Sequence, residues 1–207
     1  MEAAPHTKLM EDIVRRQLAQ SIATMQAVLA DRDIHATLVR AAEITAHAMH
    51  SGHKLMVAGN GGSAADAQHL VAEFVVRLVA DRRALPAIAL TTDSSILTAA
   101  GNDWHFDRIF SRQIEALGQP GDVFLGISTS GNSKNIVAAF EAAKKLGIAT
   151  IGLSGNEGGA MRSLCDYCIV IPSDVTMNIQ ECHLALEHIF CMMVERCVFG
   201  PEFDTKP

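Results

Sequence analysis

The chain begins with two stretches in which apolar residues recur at three- and four-residue steps. This spacing predicts amphipathic helices over residues 10–31 and 34–49, separated by Asp31-Arg-Asp33 and closed by Ser51-Gly52. Together they form a predicted N-terminal arm, residues 1–53. Two roles fit this arm: it covers the sheet, or its first helix packs against another subunit. The long stripe of the first helix favours the second role; it consists of Met10, Ile13, Val14, Leu18, Ile22, Met25 and Leu29.

From Lys54 onward, short apolar runs alternate with helical patterns. The runs lack polar alternation, which indicates a parallel sheet covered by helices on both faces. Right-handed crossovers make this a doubly wound α/β/α sandwich over residues 54–199, followed by a tail of residues 200–207. The predicted strands are 55–58, 87–90, 123–127, 150–153 and 167–171; the predicted helices are 63–78, 94–100, 106–117, 134–146, 159–164 and 175–199. In such sheets, ligands bind at the carboxyl ends of the strands.

Composition narrows the classes of partner and location. The 207 residues carry a formal net charge of -6 and no basic stripe, so nucleic acid is not an expected ligand. No apolar stretch approaches the roughly 20 residues that cross a bilayer, and the N-terminus lacks a signal-peptide pattern, so we expect a cytoplasmic protein and no membrane partner. The five cysteines lie mostly in apolar patterns and are expected to be buried, reduced thiols.

Two loops that follow predicted strands contain candidate binding groups. Ser128-Thr-Ser-Gly-Asn-Ser133 enters a helix with four hydroxyls around a glycine, a pattern that suits a phosphate dianion. A simple helix N-cap is the alternative, although a cap needs only one such residue. The loop has no lysine or arginine, which favours a sugar phosphate over a triphosphate. Asn60-Gly-Gly-Ser63 fits neither the dinucleotide nor the P-loop fingerprint, and a plain tight turn explains it equally well.

Two helices carry candidate acid–base or metal groups. His69 and Glu73 are four residues apart and therefore share one helix face, where they serve one ion or substrate, or simply face solvent. On the last helix, the polar residues Gln180 and His188 lie opposite the apolar side, and His183 and Glu187 lie on or beside the same half. Periodicity alone does not choose between these two pairs.

The motifs together resemble a known family. GNGGSAADAQHLVAEF (59–74), GND (101–103), GDVFLGISTSGNS (121–133) and IQECHLALEH (179–188) are similar to the sugar isomerase (SIS) domain family, and within it to the phosphoheptose isomerases. The resemblance runs from the N-terminal arm to about residue 195. It implies a flavodoxin-like three-layer sandwich with a five-stranded parallel sheet, and a homotetramer with sites at subunit contacts.

The resemblance also implies the site residues. One zinc ion per subunit would be held by His69, Glu73, Gln180 and His188. The implied substrate-binding positions are Asn60, Gly61, Gly62, Ser63, Glu73, Asn102, Asp103, Ser128, Thr129, Ser130, Ser133 and Gln180.

The implied reaction converts sedoheptulose 7-phosphate to D-glycero-D-manno-heptose 7-phosphate, the first step toward heptose for lipopolysaccharide core or capsule. Such an aldose–ketose isomerisation needs a base at carbon, an acid at oxygen and stabilisation of an enediolate. Glu73 is assigned as the base and His188 as the acid, with zinc polarising the substrate oxygens. One alternative is a non-catalytic relative that binds the replication-initiator protein, but it lacks the carboxylate that matches Glu73 here. Another is an isomerase or etherase of the same fold that acts on a different sugar phosphate.

Overall fold

Five apolar runs form one fully parallel sheet in the computed structural model, which describes residues 5–200 and 203. The strands are β1 (Leu55–Ala58), β2 (Ala87–Ala89), β3 (Val123–Ser128), β4 (Ala149–Gly155) and β5 (Tyr167–Ile171). Their order in the sheet is β2-β1-β3-β4-β5, which confirms the flavodoxin-like three-layer sandwich. The helices are α1 (Pro5–Ala30), α2 (Arg32–His50), α3 (Gly62–Val75), α4 (Ser94–Asp103), α5 (Ser111–Leu117), α6 (Lys134–Lys145) and α7 (Thr176–Phe199), with short 3-10 helices at Phe106–Arg108 and Ala160–Ser163.

The two faces of the sheet bury separate apolar layers. Along β1, Leu55 and Val57 face the layer that contains α2, α3 and α7, whereas Met56 and Ala58 face the layer of α5 and α6. All six residues of β3 are buried, as expected for a central parallel strand. As a result, α3 and α7, which carry the candidate metal groups, pack side by side on one face of the sheet.

The N-terminal arm contributes differently to the fold through its two helices. Asp31 ends α1 and caps α2, because its side chain accepts hydrogen bonds from the backbone N–H groups of Asp33 and Ile34. Helix α2 joins the core beside α7. In α1, by contrast, the predicted stripe is exposed to solvent along its whole length, with Leu29 the most exposed at 74%. The division into arm and domain remains a prediction.

Several predicted helix boundaries are wrong. The predicted helix 106–117 is interrupted at Ile109 and Phe110, where the Ile109 carbonyl accepts a hydrogen bond from the Gln113 side-chain amide. The predicted helix 159–164 is a single 3-10 turn that starts after Gly159, whose φ is 56°. Helix α3 stops at Val75, three residues early, and α4 runs on to Asp103. Most of the predicted tail, apart from Gly200 and Phe203, lies outside the described residues, as do residues 1–4.

The prediction of buried thiols is correct for only part of the set. All five cysteines are free; Cys182 and Cys191 are buried, Cys165 and Cys168 are half-buried and Cys197 is exposed. Cys197 lies in the last turns of α7, on the rim of a groove against α2, where the sheet no longer covers the helix. Within the described residues, no helix is both long and apolar enough to span a membrane.

Candidate active site and metal centre

The structure brings three of the predicted metal-binding side chains together. His69 and Glu73 project from one face of α3, and His188 projects from α7 toward them. The Nε2 atoms of the two histidines are 2.8 Å apart, and His69 Nε2 lies 3.4 Å from Glu73 Oε1. One ligand atom from each residue falls within 4.8 Å of the other two.

The chemistry of this cluster fits a divalent cation. Two imidazole nitrogens and a carboxylate oxygen point to a common centre, and these are the donor types that zinc accepts. The His69 side chain is 42% exposed and that of Glu73 is 16% exposed, so an ion can reach the centre from solvent. In the structure, one of these two imidazoles donates its Nε2–H to the Nε2 of the other.

The fourth predicted ligand, Gln180, lies elsewhere along α7. Gln180 is eight residues before His188, which corresponds to about 12 Å along a helix axis. Its side-chain amide lies against the first residue of α3: a Cβ at Gly62 would come within 2.6 Å of Gln180 Nε2. The structure therefore places Gln180 beside the glycine turn, and its role as a metal ligand remains a prediction.

Of the candidate polar residues of α7, His188 faces the cluster, whereas His183 and Glu187 do not. His183 and Glu187 are 0% and 1% exposed and turn into the core, so their expected place on or beside the polar half is wrong. His183 Nε2 donates to the backbone carbonyl of Ser154 at 3.0 Å, and burial lowers the pKa of His183 to about 4. Burial, together with the nearby carboxylate of Asp66, raises the pKa of Glu187 to about 9. Both side chains are therefore neutral members of the core at neutral pH.

The glycine turn after β1 is held by a pair of amides. Asn60 Nδ2 donates to Asn135 Oδ1 at 2.9 Å, and Asn135 Nδ2 donates back to Asn60 Oδ1 at 2.8 Å. Asn135 stands in the first turn of α6 and is 3% exposed. The pair links the turn after β1 to the serine loop after β3, the neighbouring strand. Sequence reasoning missed Asn135; a buried asparagine directly after the serine loop is the signal that marks it.

The serine loop is built for more than capping α6. Ser133 occupies the N-cap position without a side-chain capping bond. Its hydroxyl instead contacts the Ser128 hydroxyl at 2.9 Å. The hydroxyl of Ser130 accepts a hydrogen bond from the backbone N–H of Asn132 within the loop. The Ser128 and Ser133 hydroxyls thus meet at the positive end of α6, which favours the anion-binding interpretation.

The segment 156–161, which follows β4, packs against the serine loop and holds it in place. Gly131 has a φ of 66°, and a Cβ there would come within 2.0 Å of the Gly158 carbonyl, so only glycine fits. Backbone and side-chain bonds join the same two loops: Met161 N–H donates to Gly131 O, and Ala160 N–H donates to Asn132 Oδ1 at 2.9 Å. Thr129 adds to this support, since its carbonyl accepts from Gly155 N–H at 3.0 Å.

Of the remaining predicted substrate-binding residues, one is buried near the glycine turn and two are exposed at the end of α4. Ser63 is buried in the first turn of α3, at 3% exposure, beside the Gly61–Gly62 turn. Asn102 and Asp103 are exposed at the end of α4, where Asn102 Nδ2 donates to Asp103 Oδ1 at 2.8 Å. They share no described contact with the metal cluster in this single chain, and so the structure does not bring them into the site.

Comparison with known proteins gives a consistent family assignment. The SIS domain model matches residues 18–155. A phosphoheptose isomerase of Aneurinibacillus thermoaerophilus is 48% identical over 194 residues, covering 94% of this chain and 98% of that protein. One from Pelobacter propionicus is 52% identical over 191 residues, covering 92% and 100%.

Solved structures agree with this assignment. A phosphoheptose isomerase from Neisseria gonorrhoeae superposes with a TM-score of 0.85 at 40% identity, covering 90% of this chain and 98% of that one. One from Francisella tularensis gives 0.87 at 34% identity with the same coverage. The chain therefore belongs to the SIS domain family, and within it to the phosphoheptose isomerases.

Proposed function

We propose that this isomerase converts sedoheptulose 7-phosphate to D-glycero-D-manno-heptose 7-phosphate and so supplies heptose for lipopolysaccharide core or capsule. The observation that carries the proposal is the convergence of His69, Glu73 and His188 between α3 and α7. Helix α3 begins at the same edge of the sheet as the serine loop, because both follow the carboxyl end of a parallel strand. A chain that carries an acid–base cluster and an anion-binding loop fits a sugar phosphate as substrate. The predicted cytoplasmic location remains a prediction.

The chemistry of the reaction assigns a role to each group. Glu73 is the base that removes the proton from the carbon next to the carbonyl, which leaves an enediolate, and later returns it to the adjacent carbon. His188 delivers a proton to the carbonyl oxygen and recovers one from the neighbouring hydroxyl. Ser128, Ser130 and Ser133 hold the phosphate, and Asn60 with Gly61 and Gly62 positions the sugar chain.

Zinc is the proposed cofactor, one ion per subunit. His69, Glu73 and His188 would hold it, with Gln180 as the proposed fourth ligand. When bound, zinc stabilises negative charge on the substrate oxygens as a Lewis acid. Glu73 and His188 are proposed both to hold the ion and to move protons.

The proposed homotetramer is supported by the exposed stripe of α1. A regular apolar stripe of this length on a terminal helix is typical of a surface that another subunit covers. Asn102 and Asp103, which are exposed here, fit a site that a neighbouring subunit completes. Light scattering on the purified protein measures this directly; a monomeric mass at working concentration contradicts it.

The assignment is tested with Glu73→Gln and His188→Gln, each measured for turnover of sedoheptulose 7-phosphate. Both are expected to lose turnover while circular dichroism and assembly stay unchanged. Glu181→Gln is the matched control, since Glu181 is exposed on the same helix and makes no described contact with the cluster. Turnover near that of the wild type in either variant would contradict the roles. Capture of replication-initiator protein by a wild type without turnover would instead favour the scaffold alternative.

Removing the metal gives a second, independent test. Elemental analysis of the purified protein should find zinc near one ion per chain, and chelation should abolish turnover until zinc is restored. Full turnover after exhaustive chelation would refute the metal assignment while leaving the substrate assignment intact.

A further inference from the structure

Arg82 lies in the irregular connector between α3 and β2, yet its side chain is almost inaccessible, at 2% exposure. A buried guanidinium must find partners for its donors, because an unpaired buried charge is strongly unfavourable. The Arg82 side chain turns back from the connector and inserts between the end of α3 and the last turns of α7. Its partners come from both helices.

On α3, Arg82 binds the end of the helix. Its Nη2 donates to the backbone carbonyl of Glu73 at 2.6 Å, and its Nη1 donates to that of Phe74 at 2.7 Å. The last carbonyls of a helix lack partners within the helix, and a cation there also complements the helix dipole. Arg82 therefore fixes the backbone at Glu73, whose side chain is part of the metal cluster.

On α7, Arg82 pairs with a carboxylate. Its Nε donates to Glu195 Oε1 at 2.7 Å, and its Nη2 lies 2.6 Å from the same oxygen. Glu195 is 0% exposed, and its Oε2 has no hydrogen-bond partner among the described residues. Arg82 is thus the cation that compensates the buried charge of Glu195. Glu195 follows His188 by seven residues, so both stand on nearly the same face of α7.

We infer that Arg82 is a positioning residue that joins Glu73 on α3 to the His188 face of α7 and so holds the acid–base pair at its working separation. The inference rests on the proposed function. One guanidinium bonds directly to the residue that carries the base and to the helix that carries the acid. A shift of about 1 Å between reacting groups can lower a rate by ~100-fold.

A positioning role of Arg82 and a purely stabilising role predict different properties for variants that remain folded. If Arg82 only stabilises the fold, variants that remain folded keep normal kcat and zinc affinity. If Arg82 positions the pair, kcat and zinc affinity fall even where the protein is fully folded. The KM changes little, because the serine loop that binds the phosphate belongs to β3 and α6 and makes no described contact with Arg82.

The experiment uses the full chain with three substitutions. Arg82→Gln removes the positive charge. Arg82→Lys keeps the charge but replaces the forked guanidinium by one ammonium group. Glu195→Gln removes the negative charge and keeps an oxygen acceptor. Two controls accompany them: Arg108→Gln breaks an exposed ion pair with Glu115, and Phe140→Leu destabilises the opposite apolar layer. Kinetics, zinc binding by equilibrium dialysis and thermal unfolding are measured on each.

We expect Arg82→Gln to lower kcat and zinc affinity by ~10-fold or more, with KM within about twofold of the wild type. Glu195→Gln should have a smaller effect in the same direction, and Arg82→Lys should recover part of the loss. Phe140→Leu should keep the kcat and zinc affinity of the wild type, even if it loses as much stability as Arg82→Gln or more. If Arg82→Gln fails to fold, Glu195→Gln and Arg82→Lys provide the decision by the same two readouts.

Normal kcat and zinc affinity in folded Arg82 or Glu195 variants overturn the inference. An equal loss in Phe140→Leu overturns it too, since the effect then follows stability alone. Failure of the proposed function is distinguishable: the wild type itself would not turn over sedoheptulose 7-phosphate. Zinc affinity compared between wild type and Arg82→Gln would still decide whether Arg82 positions the cluster.

Discussion

Replacing Gly62 by alanine should stabilise the protein and impair it at the same time. Gly62 is the first residue of α3, with no strained φ. Alanine in a helix is favoured over glycine by up to ~1 kcal/mol. For a domain of this size, that corresponds to a rise in Tm of about 1–4 °C. The added methyl group meets the flexible end of the Gln180 side chain at 2.6 Å rather than backbone, so relief is easy and the gain in stability persists.

The same methyl group displaces the Gln180 amide. To reach ordinary contact at 3.4 Å, the Nε2 atom must retreat by about 0.8 Å from its 2.6 Å position. Gln180 is a proposed substrate and metal contact, and the loss of one polar contact by a displaced side chain costs about 1–3 kcal/mol. Since each 1.36 kcal/mol is a factor of ten in rate, kcat/KM should fall by about 5- to 150-fold.

The assay compares Gly62→Ala with Gly52→Ala in thermal unfolding and in turnover of sedoheptulose 7-phosphate. Gly52 has a φ of 86° and nothing within 4 Å of the added Cβ, in the turn between α2 and β1. Alanine there adopts a left-handed conformation that costs about 1–2 kcal/mol and leaves turnover intact. Gly62→Ala with wild-type kcat/KM refutes a role for Gln180, and a lower Tm refutes the packing argument.

Two further perturbations test features of the core and of the loops. Asn135→Ala should lower the free energy of unfolding by about 1–3 kcal/mol, because it leaves Asn60 unpaired; adding Asn60→Ala should cost little more in urea unfolding, and full additivity contradicts the coupling. His183, whose pKa is about 4 when folded and 6.5 when unfolded, binds its proton more readily in the unfolded chain. The contribution of His183 to stability should therefore fall as the pH drops from about 6.5 to 4, by roughly 3 kcal/mol, while Glu187 contributes in the opposite direction. His183→Gln keeps a donor for Ser154 O and should remove the His183 contribution, so the difference in unfolding free energy between variant and wild type should change with pH in denaturant titrations; a difference that is constant with pH contradicts the assignment.

The sheet was predictable because its signals are local and strong. The run Leu55–Ala58 and the run Tyr167–Ile171 are strands with the predicted bounds. Unbroken apolar runs between helices leave few arrangements other than a parallel sheet. The predicted helix 106–117 failed at Ile109 and Phe110, where the Gln113 side chain bonds to the carbonyls of Ile109 and of Leu90 from another segment, a tertiary contact that periodicity cannot reveal.

The site was predictable only in part. The i, i+4 spacing of His69 and Glu73 fixed their common face, and the family resemblance selected His188 over His183 on α7. The burial of His183 and Glu187 could not be read from the sequence, because polar side chains are seldom found in a core. Arg82 also escaped notice: an arginine in a polar connector resembles a surface residue until the fold brings Glu195 to it.

Because α7 follows α3 by about 100 residues, the residues of the site are synthesised in a fixed order. Translation releases His69 and Glu73 with α3, more than 100 residues before His188. Until then, the growing chain carries only two of the three clustered ligands and cannot form the tridentate site. The sheet face that Phe190 covers, including Leu125 and Ile151, is also left open to aggregation during this interval. A chain cut short before α7 is therefore both unable to form the metal cluster and prone to aggregate, so that only completed molecules acquire the centre.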